Sequence, residues 1–336
     1  MKIVYFDVEN YEEKFLIENN EYKYEYFLES KPLNDISPIN EIYKNADIIS
    51  VFTTSRLNKT VLEQFKNLKL IALRSVGFNH LDIDYCKEHN IAVVNSPNYG
   101  NITVAEFALA LLLNVCRHVT TSYIDYKAGF VCPENIIGTE LHGKVIGIVG
   151  LGSIGSAFAK IAYGLGMNIL AYDIAENEAI KQNYGVKYTD FETLLQKSDF
   201  ISIHAPLTKN NYHMFNAKTF KLMKPNVILI NTGRGELIDT KALYDALVNK
   251  QIAGVGLDVL ENEETITDLD YISGINRLDK LTLEQTIINT QLFKLSNVII
   301  TPHTAYNSIE AIHRILNTTM NNINEFVKGN LQNVVV

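Results

Sequence analysis

Ten short aliphatic runs in two series set the strongest limit on how this chain can fold. The first series is KIVYFD at 2–7, ADIISVF at 46–52, LKLIALR at 68–74 and IAVVN at 91–95. The second is KVIGIV, MNILAYD, FISIH, NVILIN, IAGVGLD and NVIIT, running from 144 to 301. Polar segments of helical or turn character follow each run, which is the pattern of parallel strands covered by helices. Between the series lies TVAEFALALLLNVCRHV at 103–119, apolar over nearly its whole surface and therefore expected as a long buried helix. A chain of 336 residues can hold two compact bodies. The predicted fold is α/β, with two doubly wound parallel-sheet domains and the second of Rossmann type. Residues from about 307 to 328 have helical periodicity, which permits either a cap on the second sheet or a return to the first. The division adopted is a discontinuous domain of 1–100 and 302–336, with a dinucleotide-binding domain of 101–301 inserted into it.

The net charge of −8, from 38 acidic and 30 basic residues, gives no general attraction to nucleic acid or to an anionic membrane. The N-terminus turns polar at once and no apolar run reaches spanning length, so a cytoplasmic protein is expected. Cys86, Cys116 and Cys132 are an odd set without ligand spacing, which fits reduced thiols better than disulfides or a zinc site. No residue cluster calls for a metal.

The strand VIGIV runs directly into Gly150-Leu151-Gly152-Ser153-Ile154-Gly155. Gly150 would permit a sharp turn, Gly152 would let a pyrophosphate approach the backbone, and Gly155 would let the next helix pack on the strand. That helix would point its unpaired N-terminal amides at the phosphates. The following strand ends in Asp173, placed to accept from ribose hydroxyls and to repel a ribose phosphate, so NAD is favoured over NADP. A methyltransferase that binds S-adenosylmethionine, or a regulatory nucleotide-binding domain, could carry the same loop. Neither would use the residues at the other strand ends.

Those residues are His204, Arg234, Asp258 and His303, each at or just beyond the C-terminal end of a strand, where α/β sheets gather their chemistry. Hydride transfer to a 2-oxo acid gives them a joint use. Arg234 would bind the substrate carboxylate and stabilise the oxygen as it gains charge. His303 would donate the proton, and a carboxylate beside it would orient the ring and favour its charged form. Candidates for that carboxylate lie in Asp258-Val259-Leu260-Glu261-Asn262-Glu263-Glu264.

Over nearly its full length the chain resembles the NAD-dependent D-2-hydroxyacid dehydrogenases, and most of all their D-lactate dehydrogenase branch. The resemblance is carried by LRSVGFNHLD at 73–82, NSPNYGNITVAEFA at 95–108, GLGSIG at 150–155, INTGRGELID at 230–239, GLDVLENEE at 256–264 and TPHTAYN at 301–307. It implies that Arg234 binds substrate and that Glu263 pairs with the catalytic His303. It also implies cofactor contacts from Ser153 and Ile154 at the pyrophosphate, Asp173 at ribose, Ala205, Pro206 and Asn211 beside the cofactor, Thr232 and Gly233 in the next loop, and Asp258 near the nicotinamide. The amides of Ser75, Val76 and Gly77 form a turn suited to the substrate carboxylate, and Arg74 is expected in a salt bridge behind it. Tyr99 is implied near the substrate and Phe52 as a wall around its side chain. The expected reaction is NADH-dependent, reversible reduction of pyruvate to D-lactate by a homodimer joined through the 103–119 helix.

One departure is His80, where the lactate branch often has Asn; another is the segment HAPLTKNNYH at 204–213. Both leave the acid undecided among larger 2-oxo acids. A formate dehydrogenase would call for glutamine at Glu263. A phosphoglycerate dehydrogenase would call for extra cations, for which Arg56 and Arg74 are candidates, and a corepressor could use the same fold to bind partners.

Overall fold

The computed structural model describes residues 1–19, 24–34, 38–130, 136–263 and 280–336, so Cys132 and Glu264 lie outside the described residues. The chain forms two compact units: Met1–Tyr99 with Asn307–Val336, and Gly100–Tyr306 inserted between them.

The first unit is a five-stranded parallel sheet of β1 (Lys2–Tyr5), β2 (Glu25–Leu28), β3 (Ile48–Val51), β4 (Leu70–Leu73) and β5 (Ala92–Val94) in the order β2-β1-β3-β4-β5. Strands β3 and β4 are buried at every position, because helices or loops cover both faces, and so they read as unbroken apolar runs. The edge strand β2, EYFL, has no fully buried residue and sits in a charged, tyrosine-rich stretch, which is why the aliphatic pattern did not disclose it. Three helices follow the strands: α1 (Asn10–Asn19), α2 (Lys59–Leu62) and α3 (Ile83–Glu88). The C-terminal segment closes one face with Ile312, Leu316, Met320 and Ile323, which pack against Ile3, Tyr5, Ile48 and Leu70.

The second unit holds a seven-stranded parallel sheet and most of the helices. In chain order these are α4 (Asn101–Arg117), α5 (Val119–Lys127), β6 (Val145–Val149), α6 (Ser153–Gly164), β7 (Asn168–Tyr172), α7 (Glu178–Tyr184), β8 (Lys187–Tyr188), α8 (Phe191–Lys197) and β9 (Phe200–Ile203). Then come α9 (Ala217–Phe220), β10 (Ile228–Asn231), α10 (Thr240–Val248), β11 (Gly254–Leu257), α11 (Lys280–Leu292) and β12 (Val298–Ile300). Helix α12 (Ile309–Val327) belongs to the first unit; its N-cap is Ser308, whose hydroxyl accepts from the Ala311 amide at 3.2 Å.

The strand order is β12-β11-β10-β9-β6-β7-β8. The chain leaves β6 toward β7 and later returns to β6's other side as β9, so a crevice opens at the C-terminal ends of these two strands. Helix α4 lies on the sheet through Val104, Ala105, Ala108, Leu111, Leu112, Val115 and Cys116. Glycines let it approach: a Cβ on Gly256 would come 3.1 Å from the Leu111 Cβ, and one on Gly254 would come 2.8 Å from the Val115 Cγ1. Among the described residues no single helix is long and apolar enough to cross a membrane. The pair α4 and α5 has the composition, but it is bent by 60°, and the inward face of α4 belongs to this core.

Candidate active site

The glycine loop between β6 and α6 is explained atom by atom. Gly150 has φ +88, and a Cβ there would come within 2.5 Å of the Ala205 amide. A Cβ on Gly155 would strike the Gly150 carbonyl oxygen, so helix and loop could not close with any larger residue. Gly152 differs: none of the described residues lies within 4 Å of where its Cβ would stand. It is the N-cap of α6 and has no side-chain cap, so the helix opens with amides unpaired by any capping side chain. Asp173, at the end of β7, accepts from the Leu151 amide at 2.5 Å and from the Ala175 amide at 3.3 Å, which brings a carboxylate to the rim of this loop.

On the other side of β6, Ala205 and Pro206 follow β9, and Asn211 closes their loop by accepting from Thr208 and donating to the Pro206 carbonyl at 2.8 Å. His204 is turned inward. Its Nε2 lies 2.9 Å from Ser202 Oγ, its ring sits 5.1 Å from Phe158, and burial drives its pKa down to about 3. Burial thus disfavours the charged form that an acid would need.

His303 is different on each count. Its ring is open to solvent, and its Nδ1 meets Glu263 Oε1 at 2.6 Å, a bond that fixes the ring and raises its pKa. The Glu263 bond is the largest cause; desolvation and the nearby Arg234 oppose it, while Asp258 adds to it. With Nδ1 committed to Glu263, Nε2 is the nitrogen that can exchange a proton. His303 also has φ 52, a conformation that costs about 1–2 kcal/mol for a residue with a Cβ. Asp258 holds it there. That carboxylate, only 1% exposed, accepts from Thr301 Oγ1 at 2.6 Å, the Thr304 amide at 3.0 Å and the Ala305 amide at 2.8 Å, and its own carbonyl accepts from the His303 amide. Bonds to a charged acceptor are worth roughly 1.5–3 kcal/mol each, so together they outweigh the strain. The same bonds keep residues 301–305 with the second unit, and the crossing to the first falls after Tyr306. Burial pushes the Asp258 pKa up, and the Thr301 hydroxyl is first among the groups that resist.

Arg234 leaves β10 on an exposed loop. The buried Asn231 shapes that loop, accepting from the Gly233 amide at 3.0 Å and donating to the Arg234 carbonyl at 2.9 Å. The guanidinium donates back to the Gly233 carbonyl at 2.7 Å, and the residue is exposed. Neither Asn231 nor the pairing of Glu261 with His213 was foreseen from sequence; an asparagine ending an aliphatic strand, just before TGRG, was the available signal for the first.

In the first unit, Phe52, Ser75, Val76, Gly77 and Tyr99 lie at or near strand ends. Asp7 organises the Phe52 loop, accepting from the Phe52 amide at 2.9 Å, Thr54 Oγ1 at 2.7 Å and Ser55 Oγ at 2.6 Å. Ser75 Oγ donates to the Gly77 carbonyl and Asn95 to the Val76 carbonyl, so the turn is held from its own side. Arg74 lies behind it at 0% exposure, donating to the Phe6 and Asp7 carbonyls and standing 3.5 Å from Glu12. It is structural. The Tyr99 carbonyl accepts from Arg314 Nε at 2.7 Å. His80, the departure noted in the sequence, is buried, and its pKa is lowered by desolvation.

Residues 109–305 match the family model described as D-isomer specific 2-hydroxyacid dehydrogenase, NAD binding domain. The chain belongs to the D-2-hydroxyacid dehydrogenases. It is 38% identical to a glyoxylate reductase of Thermococcus litoralis over 87% of this chain and 83% of that one. It is 34% identical to a D-lactate dehydrogenase of Escherichia coli over 98% of both. Among solved structures, a D-lactate dehydrogenase from Aquifex aeolicus complexed with NAD and lactic acid superposes with a TM-score of 0.83 at 34% identity, covering 99% of each chain.

This dehydrogenase is therefore an NAD-dependent oxidoreductase of 2-hydroxy acids, close to the D-lactate dehydrogenase branch. Its residues fit that cofactor. The space above Gly152 and the uncapped start of α6 suit a pyrophosphate, and Asp173 suits a ribose. Thr232 Oγ1 is buried and has no hydrogen-bond partner among the described residues, which fits a hydroxyl that meets a ligand.

Proposed function

We propose that the enzyme reduces pyruvate to D-lactate, reversibly, with Arg234, Glu263 and His303 as its working residues. The observation that carries the acid–base assignment is the 2.6 Å bond between His303 Nδ1 and Glu263 Oε1. Support for lactate comes from the full-length match to D-lactate dehydrogenases. NADH, when bound, supplies a hydride to the carbonyl carbon. Arg234 binds the carboxylate and neutralises charge growing on the carbonyl oxygen. His303 passes its Nε2 proton to that oxygen, and Glu263 stabilises the imidazolium beforehand. In the oxidative direction neutral His303 takes the proton back. The proposal also assigns cofactor contacts to Ser153, Ile154, Ala205, Pro206, Asn211, Thr232, Gly233 and Asp258, and substrate contacts to Phe52, Ser75, Val76, Gly77 and Tyr99.

Specificity constants with NADH for pyruvate, glyoxylate, 2-oxobutyrate, hydroxypyruvate and phenylpyruvate should rank pyruvate first, with chiral analysis giving D-lactate. The similarity to a glyoxylate reductase makes the two-carbon acid the second reading, and a clear preference for glyoxylate or for a bulky acid would overturn the first. In the same assay Asp173→Ala should weaken NADH use by roughly 10- to 100-fold and narrow the margin over NADPH, since it removes a charged acceptor worth about 1.5–3 kcal/mol. A parent enzyme that prefers NADPH would contradict this placement.

We further propose a homodimer. Much of the apolar surface of α4 is already buried in its own unit, so the 103–119 helix alone is a poor interface. The exposed apolar side chains are Ile102 and Leu113 on α4, continued by Val119, Tyr123, Ile124 and Tyr126 on α5. Sedimentation equilibrium should give a dimer that Tyr123→Glu with Ile124→Glu weakens; a wild-type monomer at all concentrations would remove the proposal.

A further inference from the structure

Two residues before Glu263 the same turn carries a second histidine–carboxylate pair, which the proposed reaction does not use. His213 Nε2 donates to Glu261 Oε1 at 2.5 Å, and Glu261 is buried. Its other oxygen, Oε2, accepts from the Thr240 amide at 3.0 Å and the Thr240 hydroxyl at 2.6 Å, at the start of α10. Its backbone carbonyl accepts from Asn289 of α11 at 3.1 Å. From below, Gly235 lies so close to the Leu260–Glu261 peptide that no Cβ would fit. Glu261 is thus gripped by the loop after β9, by α10 and by α11, all distant from it in the chain.

His213 is itself held. Its amide donates to the Glu236 carbonyl at 2.9 Å, its carbonyl accepts from Asn216 at 2.8 Å, and Tyr212 stacks on its ring at 4.0 Å. It has φ 51, a left-handed conformation shared with Asn262, where the chain reverses after Glu261. A half-buried histidine kept in that conformation by bonds at its amide, its carbonyl and its ring, and aimed at one buried carboxylate, has a positional task. Beyond Asn262 the turn closes when Glu263 Oε2 accepts from the Leu260 amide at 3.3 Å, which leaves Oε1 for His303.

Taking the Glu263–His303 pair proposed above as its basis, we propose that His213 is a positioning residue: by gripping Glu261 it fixes the Leu260–Glu263 turn and so holds the Glu263 carboxylate on His303. Without that grip the Glu263 carboxylate would spend less of its time on His303, and the protonated ring would lose part of its support. Among the described residues, the charged and titratable groups around the two pairs are Tyr212, which bonds to Glu261 and also feels Glu236 and Asp239, and Asp258 and Arg234 beside His303. None of them replaces the bond to Glu263, which is the largest influence on His303.

The test is the His303 titration in the full-length enzyme with NAD bound, followed by NMR of 13C-labelled imidazoles and assigned by the signal lost in His303→Ala. The pH profile of pyruvate reduction is measured in parallel. His213→Ala should move the His303 midpoint and the profile to lower pH and reduce kcat roughly 10-fold, with the KM for NADH unchanged. His213→Gln can present an amide N–H near the position of Nε2 and should restore most of both. Thr240→Val, which removes one hydroxyl donor from Glu261, should shift both in the same direction by less, and it carries the test if His213→Ala does not fold. Glu263→Gln separates the two proposals. If it moves the His303 titration while His213→Ala and Thr240→Val do not, positioning by His213 is wrong and the acid–base pair stands. If Glu263→Gln moves nothing, the pair itself is wrong. A shift in His213→Ala that His213→Gln fails to reverse also overturns the inference, because the donated hydrogen bond would then not be the cause.

Discussion

His303→Ala is expected to lower turnover of 2-oxo acid reduction by roughly 100-fold or more while leaving NADH affinity nearly unchanged, the scale for loss of a positioned general acid. The reason lies in how the ring is held. Glu263 fixes Nδ1 and raises the pKa, Asp258 pins the turn that carries the residue, and Nε2 is left to exchange the proton. Reduction requires the imidazolium, so its rate should fall as pH rises through the His303 pKa, and oxidation of the hydroxy acid should rise over the same interval. Glu263→Gln keeps the shape but removes the charge that favours the imidazolium. Its reduction profile should therefore fall at lower pH than the parent's. A primary isotope effect with deuterated NADH would establish that the chemical step is being observed. An unmoved profile under those conditions would exclude Glu263 as the partner. Glu261 could not take its place without giving up His213 and Thr240.

The two sheets were legible because central parallel strands are buried on both faces and must be apolar throughout, as β3, β4, β9 and β10 are. Strands β2 and β8 were missed for the converse reason: both lie at sheet edges, and neither has a fully buried residue. The three glycines of the loop could be given separate tasks from order alone, since a strand, a tight turn and a helix in succession leave few geometries. Side-chain pairing was less legible. Asp258, Glu261 and Glu263 stand within six residues of one another, and no local rule distinguishes them. Their partners, the 301–305 turn, His213 and His303, lie 40 to 48 positions away and meet them only when β9, β10, β11 and β12 stand side by side. The family resemblance singled out Glu263, whereas spacing alone left the choice open.

Arg234→Ala should raise the KM for pyruvate by roughly 10- to 100-fold and lower kcat as well, because charge-assisted bonds of about 1.5–3 kcal/mol are lost in both ground and transition states. Arg234→Lys should recover only part of this. A lysine restores the charge, but it lacks the planar fork that pairs with two carboxylate oxygens. Pyruvamide gives a sharper comparison, since it keeps the ketone and lacks the carboxylate: the loss on Arg234→Ala should be much smaller for the amide than for the acid. Equal losses would mean that Arg234 acts on the carbonyl oxygen alone. The charge has a second consequence, opposite in sign to that of Glu263. Arg234 disfavours protonated His303, so its removal should shift the fall in reduction rate to higher pH, whereas Glu263→Gln shifts it lower. Arg234 is the weakest of the influences on His303 and the Glu263 bond the strongest, so the upward shift should be the smaller of the two. Opposite displacements of one titration by two substitutions would place both charges beside the same imidazole. Displacements in the same direction would mean that the titration belongs to another group.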